Sequence, residues 1–388
     1  MENKADKLYM RRAIELALKG EGFVNPNPMV GAVIVKDGRV IGEGYHHRYG
    51  DLHAERDAIS SLTEDASGAT IYVTLEPCCH HGKQPPCTEA IIEKGIKKVV
   101  IGSRDPNPLV SGGGVKILKE AGIEVVEDFL KDECDEINPV FFKYISTGHP
   151  YVVIKYAMTM DGKIATVTGA SKWITGEESR HEVHRLRHKY SAIMAGIGTV
   201  LADDPMLNVR IEGLKSPVRV IVDSSLRIPA DSNIVKTAGE YRTIVAYCRP
   251  ESGVDEVRID GLHKFGGVCE GVGLDERICV LAGAGVELIE APCDEGRVDL
   301  SYLMRYLGEQ GIDSVFVEGG GTLNDSLIRS GLVDRVEAFI APKIFGGMDA
   351  LSPVEGTGIR EVSQAQAFKL SKVTRHGEDI QLTYINEG

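Results

Sequence analysis

The sequence has 388 residues, 43% hydrophobic and 26% charged, ordinary proportions for a soluble globular protein, and its length suits two domains better than one core. Its net charge of −13 excludes a standing basic footprint for nucleic acid but leaves room for local arginines to hold a small anion. The start of the chain is polar and no apolar run reaches spanning length, so no signal core and no membrane segment are expected; with eight cysteines, which suit a reducing compartment and metal use, the reading is a cytoplasmic protein.

Residues 7–19 carry apolar side chains at Leu8, Ile14, Leu16, Ala17 and Leu18, a helical stripe ended by Gly20. Asn25-Pro26-Asn27-Pro28 is a rigid loop. Strands over 30–36 and 39–45 form a hairpin turning at Asp37-Gly38. A helix over 53–61, a strand over 70–75, a helix over 88–94 and a strand over 98–102 follow. A helix over 115–121, a short strand over 123–126 and a helix over 134–145 complete the first half. This alternation predicts a three-layer α/β/α domain over 1–148.

Within that domain His53-Ala54-Glu55 is followed by Pro77-Cys78-Cys79-His80-His81-Gly82 and then Pro85-Pro86-Cys87. One imidazole and two thiolates make a three-ligand zinc site with the fourth corner open to water, the layout of a catalytic zinc. Zinc brings the pKa of such a water toward ~7, and a carboxylate as near as Glu55 can carry its proton to a leaving amine. His-x-Glu, then Pro-Cys and a second cysteine, is the signature of zinc-dependent nucleobase deaminases. The usual second half is Cys-x-x-Cys, whereas eight residues separate Cys78 from Cys87 here. Adjacent side chains rarely converge on one metal, so His53, Cys78 and Cys87 are the expected ligands and Cys79 is not. A closed structural zinc with His80 or His81 as fourth ligand is the competing arrangement, and it has no use for Glu55.

The seam falls at Gly148-His149-Pro150. Beyond it, strands are expected over 151–157, 192–196, 218–223, 243–248, 286–289, 314–318 and 335–340, and helices over 177–189, 300–310 and 322–330. These make a second α/β domain over 149–388. Residues 251–280 are Gly-rich and weakly patterned and read as a surface excursion. A buried strand runs into Glu318-Gly319-Gly320-Gly321 and then a helix start, where backbone N–H groups can cradle a phosphate; a turn that merely needs positive φ is the plainer alternative. Lys155 and Lys163 flank a polar turn after a strand, Trp173 is the only tryptophan, and 195–205 is a strand leading into a small-residue turn. Arg187 and Arg210 are placed to meet an anion.

Taken in order, Asn27-Pro28, His53-Ala54-Glu55, the Cys78 to Cys87 segment, and residues 155–165, 195–205 and 318–324 resemble the motifs of the RibD family of riboflavin-biosynthesis proteins, a pyrimidine deaminase fused to a ribosylaminouracil reductase. Only 251–280 looks longer than the family pattern. The resemblance implies a cytidine-deaminase-like first domain, which removes the 2-amino group of 2,5-diamino-6-(5-phosphoribosylamino)pyrimidin-4-one. It implies a dihydrofolate-reductase-like second domain, which uses NADPH to convert ribosyl to ribityl and yields 5-amino-6-(5-phosphoribitylamino)uracil. In the first domain it implies substrate contacts from Asn27, His46, His80 and Lys83, with His46 and His47 not told apart. In the second it implies that Ala157, Trp173, Thr199, Asp203, Ser225 and the turn Gly320, Gly321, Thr322, Leu323, Asn324, Asp325 and Ser326 hold NADPH. Ser171, Arg187, Leu207, Arg210 and Glu318 would hold the substrate. Lys155 and Asp203 are candidates for catalytic help, with an ordinary salt bridge as the competing account of either. A homo-oligomer is expected. Two other functions compete. A nucleic-acid base deaminase leaves the second half unemployed, and a non-catalytic NADPH-binding sensor has no use for Glu55.

Overall fold

The computed structural model describes residues 4–81, 84–107, 111–249 and 273–386. The chain divides into two compact units, Met1–Gly148 and His149–Gly388.

The first unit runs α1 (Lys4–Ala17), β1 (Gly31–Lys36), β2 (Arg39–Tyr45), α2 (Ala54–Ser60), β3 (Thr70–Leu75), α3 (Cys87–Glu93), β4 (Lys98–Ser103), α4 (Gly113–Glu120), β5 (Glu124–Val126), α5 (Lys131–Glu136) and α6 (Pro139–Thr147). Its sheet has the order β2-β1-β3-β4-β5, antiparallel at β1 and parallel from β3 onward. Side chains alternate across a strand, and both faces of this sheet are apolar. Ala32, Ile34, Ile71 and Val73 meet Ala54, Ala58, Ile91 and Leu118 of α2, α3 and α4. Val33, Val35, Tyr72 and Val100 meet Met10, Ala13 and Leu16 of α1 and Cys134 of α5. β2 lies directly against the backbone of α2, because a Cβ on Gly44 would stand 2.2 Å from Ala58 N. That close seat fixes the helix on which His53 and Glu55 depend.

The helix expected over 134–145 is two helices. Pro139 opens α6, where a missing N–H costs nothing. Asn138, just before it, spends its side chain on Met29, accepting from its N and donating to its O at 2.8 Å each.

The second unit runs β6 (Tyr151–Thr159), α7 (Glu177–Lys189), β7 (Ala192–Gly196), α8 (Ile197–Asp203), β8 (Val218–Val222), α9 (Asn233–Lys236), β9 (Thr243–Tyr247), α10 (Leu274–Gly283) and β10 (Glu287–Glu290). There follow β11 (Cys293–Asp294), β12 (Arg297–Val298), α11 (Leu300–Glu309), β13 (Ser314–Val317), α12 (Gly321–Arg329), β14 (Arg335–Ala341), β15 (Lys369–His376) and β16 (Asp379–Ile385). The main sheet has the order β10-β9-β8-β7-β13-β6-β14-β16-β15. It is parallel from β10 to β14, and β16 is antiparallel to both its neighbours. One face packs on α8, α9 and α10 through Ile197, Ile234 and Leu281. The other packs on α11 and α12 through Leu303, Leu307 and Leu327. From β6 the chain skips one place to β7, runs outward to β10, and returns to insert β13 between β7 and β6. Reversals of this kind open a ligand crevice at the carboxyl ends of the strands.

Several features of this unit depart from the sequence reading. The turn expected after β7 is the helix α8. Of the excursion expected over 251–280, residues 251–272 lie outside the described residues, and the rest enters α10. The hairpin β15–β16 was not anticipated. It matters to the site, because Asp379 accepts hydrogen bonds from Gly176 N at 2.7 Å and Ser179 Oγ at 2.6 Å and so closes the start of α7.

Candidate active sites

In the first unit, His53 is the N-cap residue of α2 and Cys87 is the first residue of α3. Cys78 sits three residues past the end of β3. His53 Nδ1 lies 3.4 Å from Cys78 Sγ and 3.5 Å from Cys87 Sγ. The three donor atoms all lie within 4.8 Å of one another. In a tetrahedral site with ordinary zinc distances, nitrogen and sulfur ligands stand about 3.6 Å apart, so this trio fits the metal. Cys79 is not in the group; its sulfur lies by Gly113, 2.8 Å from where a Cβ would stand. The Cys87 thiol, and against burial the His53 imidazole, hold the Cys78 thiol well below its usual range. Glu55, in the first turn of α2, is buried. Burial first, then the Cys78 thiolate, pushes its carboxyl up to about 7. A carboxyl so poised can take and give a proton near neutral pH.

His53, Glu55 and Cys78 line a cavity of about 260 Å³. Asn27, His46 and His80 line it. His46 is buried, and burial lowers its pKa, so the ring is neutral. Its Nδ1–H donates to Leu52 O at 2.9 Å, which leaves Nε2 to accept from Asn27 Nδ2 at 3.1 Å. His47 turns away, stacked on Tyr45 and paired with Asp57 at 2.9 Å. Geometry thus separates the two histidines that the sequence left ambiguous. Lys83 lies outside the described residues. Sequence reading missed Asp105, a buried wall residue. Burial raises its carboxyl to about 6 even though Asn107 N donates to it at 2.8 Å. Its position just past the end of β4 was the available signal.

In the second unit a cavity of about 1510 Å³ opens at the carboxyl ends of the central strands. At its floor Glu318, just past β13, accepts from Arg187 Nε at 2.5 Å, Arg187 Nη2 at 3.1 Å and Lys155 Nζ at 3.4 Å. Burial alone would raise this carboxyl, but the charges of Arg187 and then Lys155 outweigh it and hold Glu318 at about 2. Arg187 also donates to Asn208 O at 2.9 Å. His184, which sequence reading missed, accepts from Arg210 N at 3.3 Å through Nδ1. Burial and then the charges of Arg187 and Arg210 keep it neutral, pushed down to about 4.

The glycine turn links β13 to α12, with Gly320 as N-cap. None of Gly319, Gly320 and Gly321 has positive φ. Closeness demands glycine instead. A Cβ on Gly321 would stand 2.5 Å from Glu355 Cγ and 2.7 Å from Ser352 O, and one on Gly319 2.8 Å from Leu323 Cδ2. The first turn of the helix, whose N–H groups have no partners within it, is part of the cavity wall.

Ala157, Ser171, Trp173, Thr199, Asp203 and Ser225 line this cavity, as do Lys155, Arg187, Arg210 and Glu318. Trp173 is 60% exposed, with the Arg180 guanidinium 4.8 Å over its ring. Asp203 faces Lys172 at 3.7 Å. Gly320, Gly321, Thr322, Leu323 and Ser326 are at the wall, but Asn324 and Asp325 are not. Seven consecutive residues of a helix cannot share one face. Asn324 is buried and donates to Pro353 O at 2.8 Å, and Asp325 pairs with Arg329 at 3.2 Å. Leu207 also misses the cavity, being buried in the core with Ile193 and Ile221. The hairpin residues Asp294, Glu295 and Arg297 line the cavity from far along the chain and carried no local motif.

Two family models match the chain. The cytidine and deoxycytidylate deaminase zinc-binding region matches residues 3–103, and the RibD C-terminal domain matches residues 150–382. Among curated proteins the chain is similar to the riboflavin biosynthesis protein RibD of Actinobacillus pleuropneumoniae, 52% identical over 377 residues, with 97% of this chain and 94% of the relative covered. It is 37% identical over 390 residues to the riboflavin biosynthesis protein RibD of Escherichia coli (strain K12), with 97% and 98% covered. Among solved structures it is similar to Acinetobacter baumannii RibD, with 38% identity, a TM-score of 0.84 and 99% of each chain covered. It is also similar to a diaminohydroxyphosphoribosylaminopyrimidine deaminase/5-amino-6-(5-phosphoribosylamino)uracil reductase from Thermotoga maritima, with 40% identity, a TM-score of 0.83, and 98% of this chain and 99% of that one covered.

Proposed function

The chain belongs to the RibD family of bifunctional riboflavin-biosynthesis enzymes, and from that premise we propose how its two units divide the work. Met1–Gly148 hydrolytically removes the 2-amino group of 2,5-diamino-6-(5-phosphoribosylamino)pyrimidin-4-one. His149–Gly388 then reduces the ribosyl chain with NADPH, giving 5-amino-6-(5-phosphoribitylamino)uracil. The observation that carries the reading is the meeting of His53, Cys78 and Cys87 beside a buried Glu55.

His53, Cys78 and Cys87 are the residues to hold zinc. Bound there, zinc supplies the Lewis acidity that makes hydroxide available near neutral pH. Glu55 takes the proton that hydroxide formation releases and delivers it to the departing amine. The oxygen stays on the ring carbon, and ammonia leaves. His46 presents one fixed tautomer, because Leu52 O holds its Nδ1–H, and with Asn27 it orients the pyrimidine edge. His80, which lines the same cavity, is a further substrate contact.

In the second unit NADPH supplies the hydride, so the chain has to bind and orient. The first turn of α12, with Thr199, Ser225 and Trp173, is the cofactor wall. Ser171, Arg187 and Arg210 hold the phosphorylated substrate. Lys155, paired with Glu318 at 3.4 Å, donates the proton that the sugar oxygen takes as the hydride reaches the adjacent carbon. Asp203, tied to Lys172, helps to set the cofactor's position. The same reading takes the enzyme to act in the cytoplasm, as a homo-oligomer, on the free pyrimidine and not on nucleic acid. Among the described residues no helix is long and apolar enough to cross a membrane.

The test is to supply the diaminopyrimidine with NADPH and follow ammonia and NADPH absorbance together. Ammonia should appear first, and NADPH should then fall in equal amount. Zinc-replete protein that releases no ammonia from this substrate overturns the reading.

A further inference from the structure

Eight residues separate the two expected thiolate ligands, and a loop of that length does not place its second sulfur by itself. The last two residues before Cys87 are Pro85 and Pro86. Proline has no backbone N–H, so this stretch offers the surrounding structure acceptors and no donors. Both acceptors are taken by one side chain. Arg56 Nε donates to Pro85 O at 2.9 Å, and Arg56 Nη2 donates to Pro86 O at 2.8 Å. Arg56 stands one residue after Glu55 and three after His53. The helix start that carries a metal ligand and the proton carrier therefore also grips the chain immediately before another ligand.

We propose that Arg56 is a positioning residue of the metal centre: by holding the Pro85 and Pro86 carbonyls it fixes where the Cys87 sulfur stands relative to His53 and Cys78. This rests on the ligand set given under the proposed function. The planar guanidinium fork suits the task, since it spans two successive carbonyls at fixed spacing. Cys87, once placed, reaches back to the first thiolate, its N donating to Cys78 Sγ at 3.4 Å. The far side of the loop is held separately, by Gln84 Nε2 donating to Gly50 O at 3.3 Å.

The experiment uses the full-length zinc enzyme and its cobalt-substituted form, as the parent, Arg56→Ala and Arg56→Lys. It reads zinc transfer to a chromogenic chelator, the cobalt ligand-field and thiolate charge-transfer bands, and NADPH-dependent reduction of pre-deaminated substrate as a measure of folding elsewhere. Arg56→Ala should hold zinc roughly 10–100-fold more weakly, as loss of outer support to a metal ligand does. Its cobalt bands should shift while reduction stays at the parental rate. Arg56→Lys should fall between, since an ammonium cannot span both carbonyls in one fixed geometry. Parental zinc release and parental cobalt bands in Arg56→Ala overturn the proposal. Should Arg56→Ala not fold, Arg56→Lys decides it, and an unchanged cobalt spectrum there overturns it equally. A parent chain with no stoichiometric zinc overturns the ligand set itself, and the role of Arg56 with it.

Discussion

The Arg187 guanidinium grips the Glu318 carboxylate with two hydrogen bonds, Nε to Oε1 at 2.5 Å and Nη2 to Oε2 at 3.1 Å. Lys155 adds a second cation at 3.4 Å, and all three side chains are largely buried. Glu318→Gln leaves two cations without their counter-charge, which is expected to cost about 3–5 kcal/mol of stability. The pH dependence has a definite direction. The carboxyl is held at about 2 in the fold, below the ~4.3 of a free glutamate, so the unfolded chain takes the proton first as pH falls. The contribution is complete above roughly pH 4.5 and is lost as pH falls through about 2. Urea unfolding followed through that window should give a shallower slope for Glu318→Gln than for the parent. Equal slopes would show that this carboxylate is not what the acid titrates.

Cys87→Ala should reduce bound zinc from about one equivalent to near none, because two ligands hold this metal poorly. Cys79→Ala should leave zinc content unchanged, since the Cys79 sulfur stands apart from the three-atom group. Metal analysis of both purified variants decides the matter, and equal loss would mean that the ligand set is wrongly drawn.

Glu55→Gln keeps the size of the side chain and removes its proton chemistry. Ammonia release should fall by roughly 10²–10⁴-fold, the usual scale of a positioned acid–base group. Zinc content should stay at the parental level. Reduction of pre-deaminated substrate should also persist, because Glu55 and the large cavity of the second unit belong to different units. Loss of that reduction would sink the idea of two independent catalytic centres.

Gly321→Ala places a methyl group where Glu355 Cγ would be 2.5 Å away. Overpacking of this kind costs about 1–3 kcal/mol, and here it disturbs the first turn of α12. The expected result is a raised KM for NADPH and a lower melting temperature of the second unit, with ammonia release by the first unit intact. A parental KM for NADPH would show that the glycine turn does not touch the cofactor.

What could be read from sequence was chemistry concentrated in short runs. His53, Glu55, Cys78 and Cys87 fall within 35 residues and meet in the fold. The strand into Gly319-Gly320-Gly321 is equally plain, although crowding, and not positive φ, explains Gly319 and Gly321. Where the reading lost accuracy, a longer-range relation decided. Asn324 and Asp325 were grouped with their neighbours along the chain, but helical rotation carries them off the cavity. His184 and Arg297 come to the cavity wall from elements with no motif of their own. β15 showed no alternation to find, because Leu370 and Val373 are both exposed. Asn138 ends a helix early through a bond to Met29, 109 positions away.

Asp379 reaches Gly176 across 203 positions of chain. A nascent polypeptide leaving the ribosome therefore presents α7, with Arg187 on it, long before the carboxylate that closes its first turn has been made. The strand that completes the sheet beside β14 arrives in the same final segment. By contrast, the sheet of the first unit is complete by Val126. The deaminase unit can mature while synthesis continues, whereas the reductase unit must hold its apolar strands in waiting until nearly its whole length is out, the interval in which a chaperone would be needed.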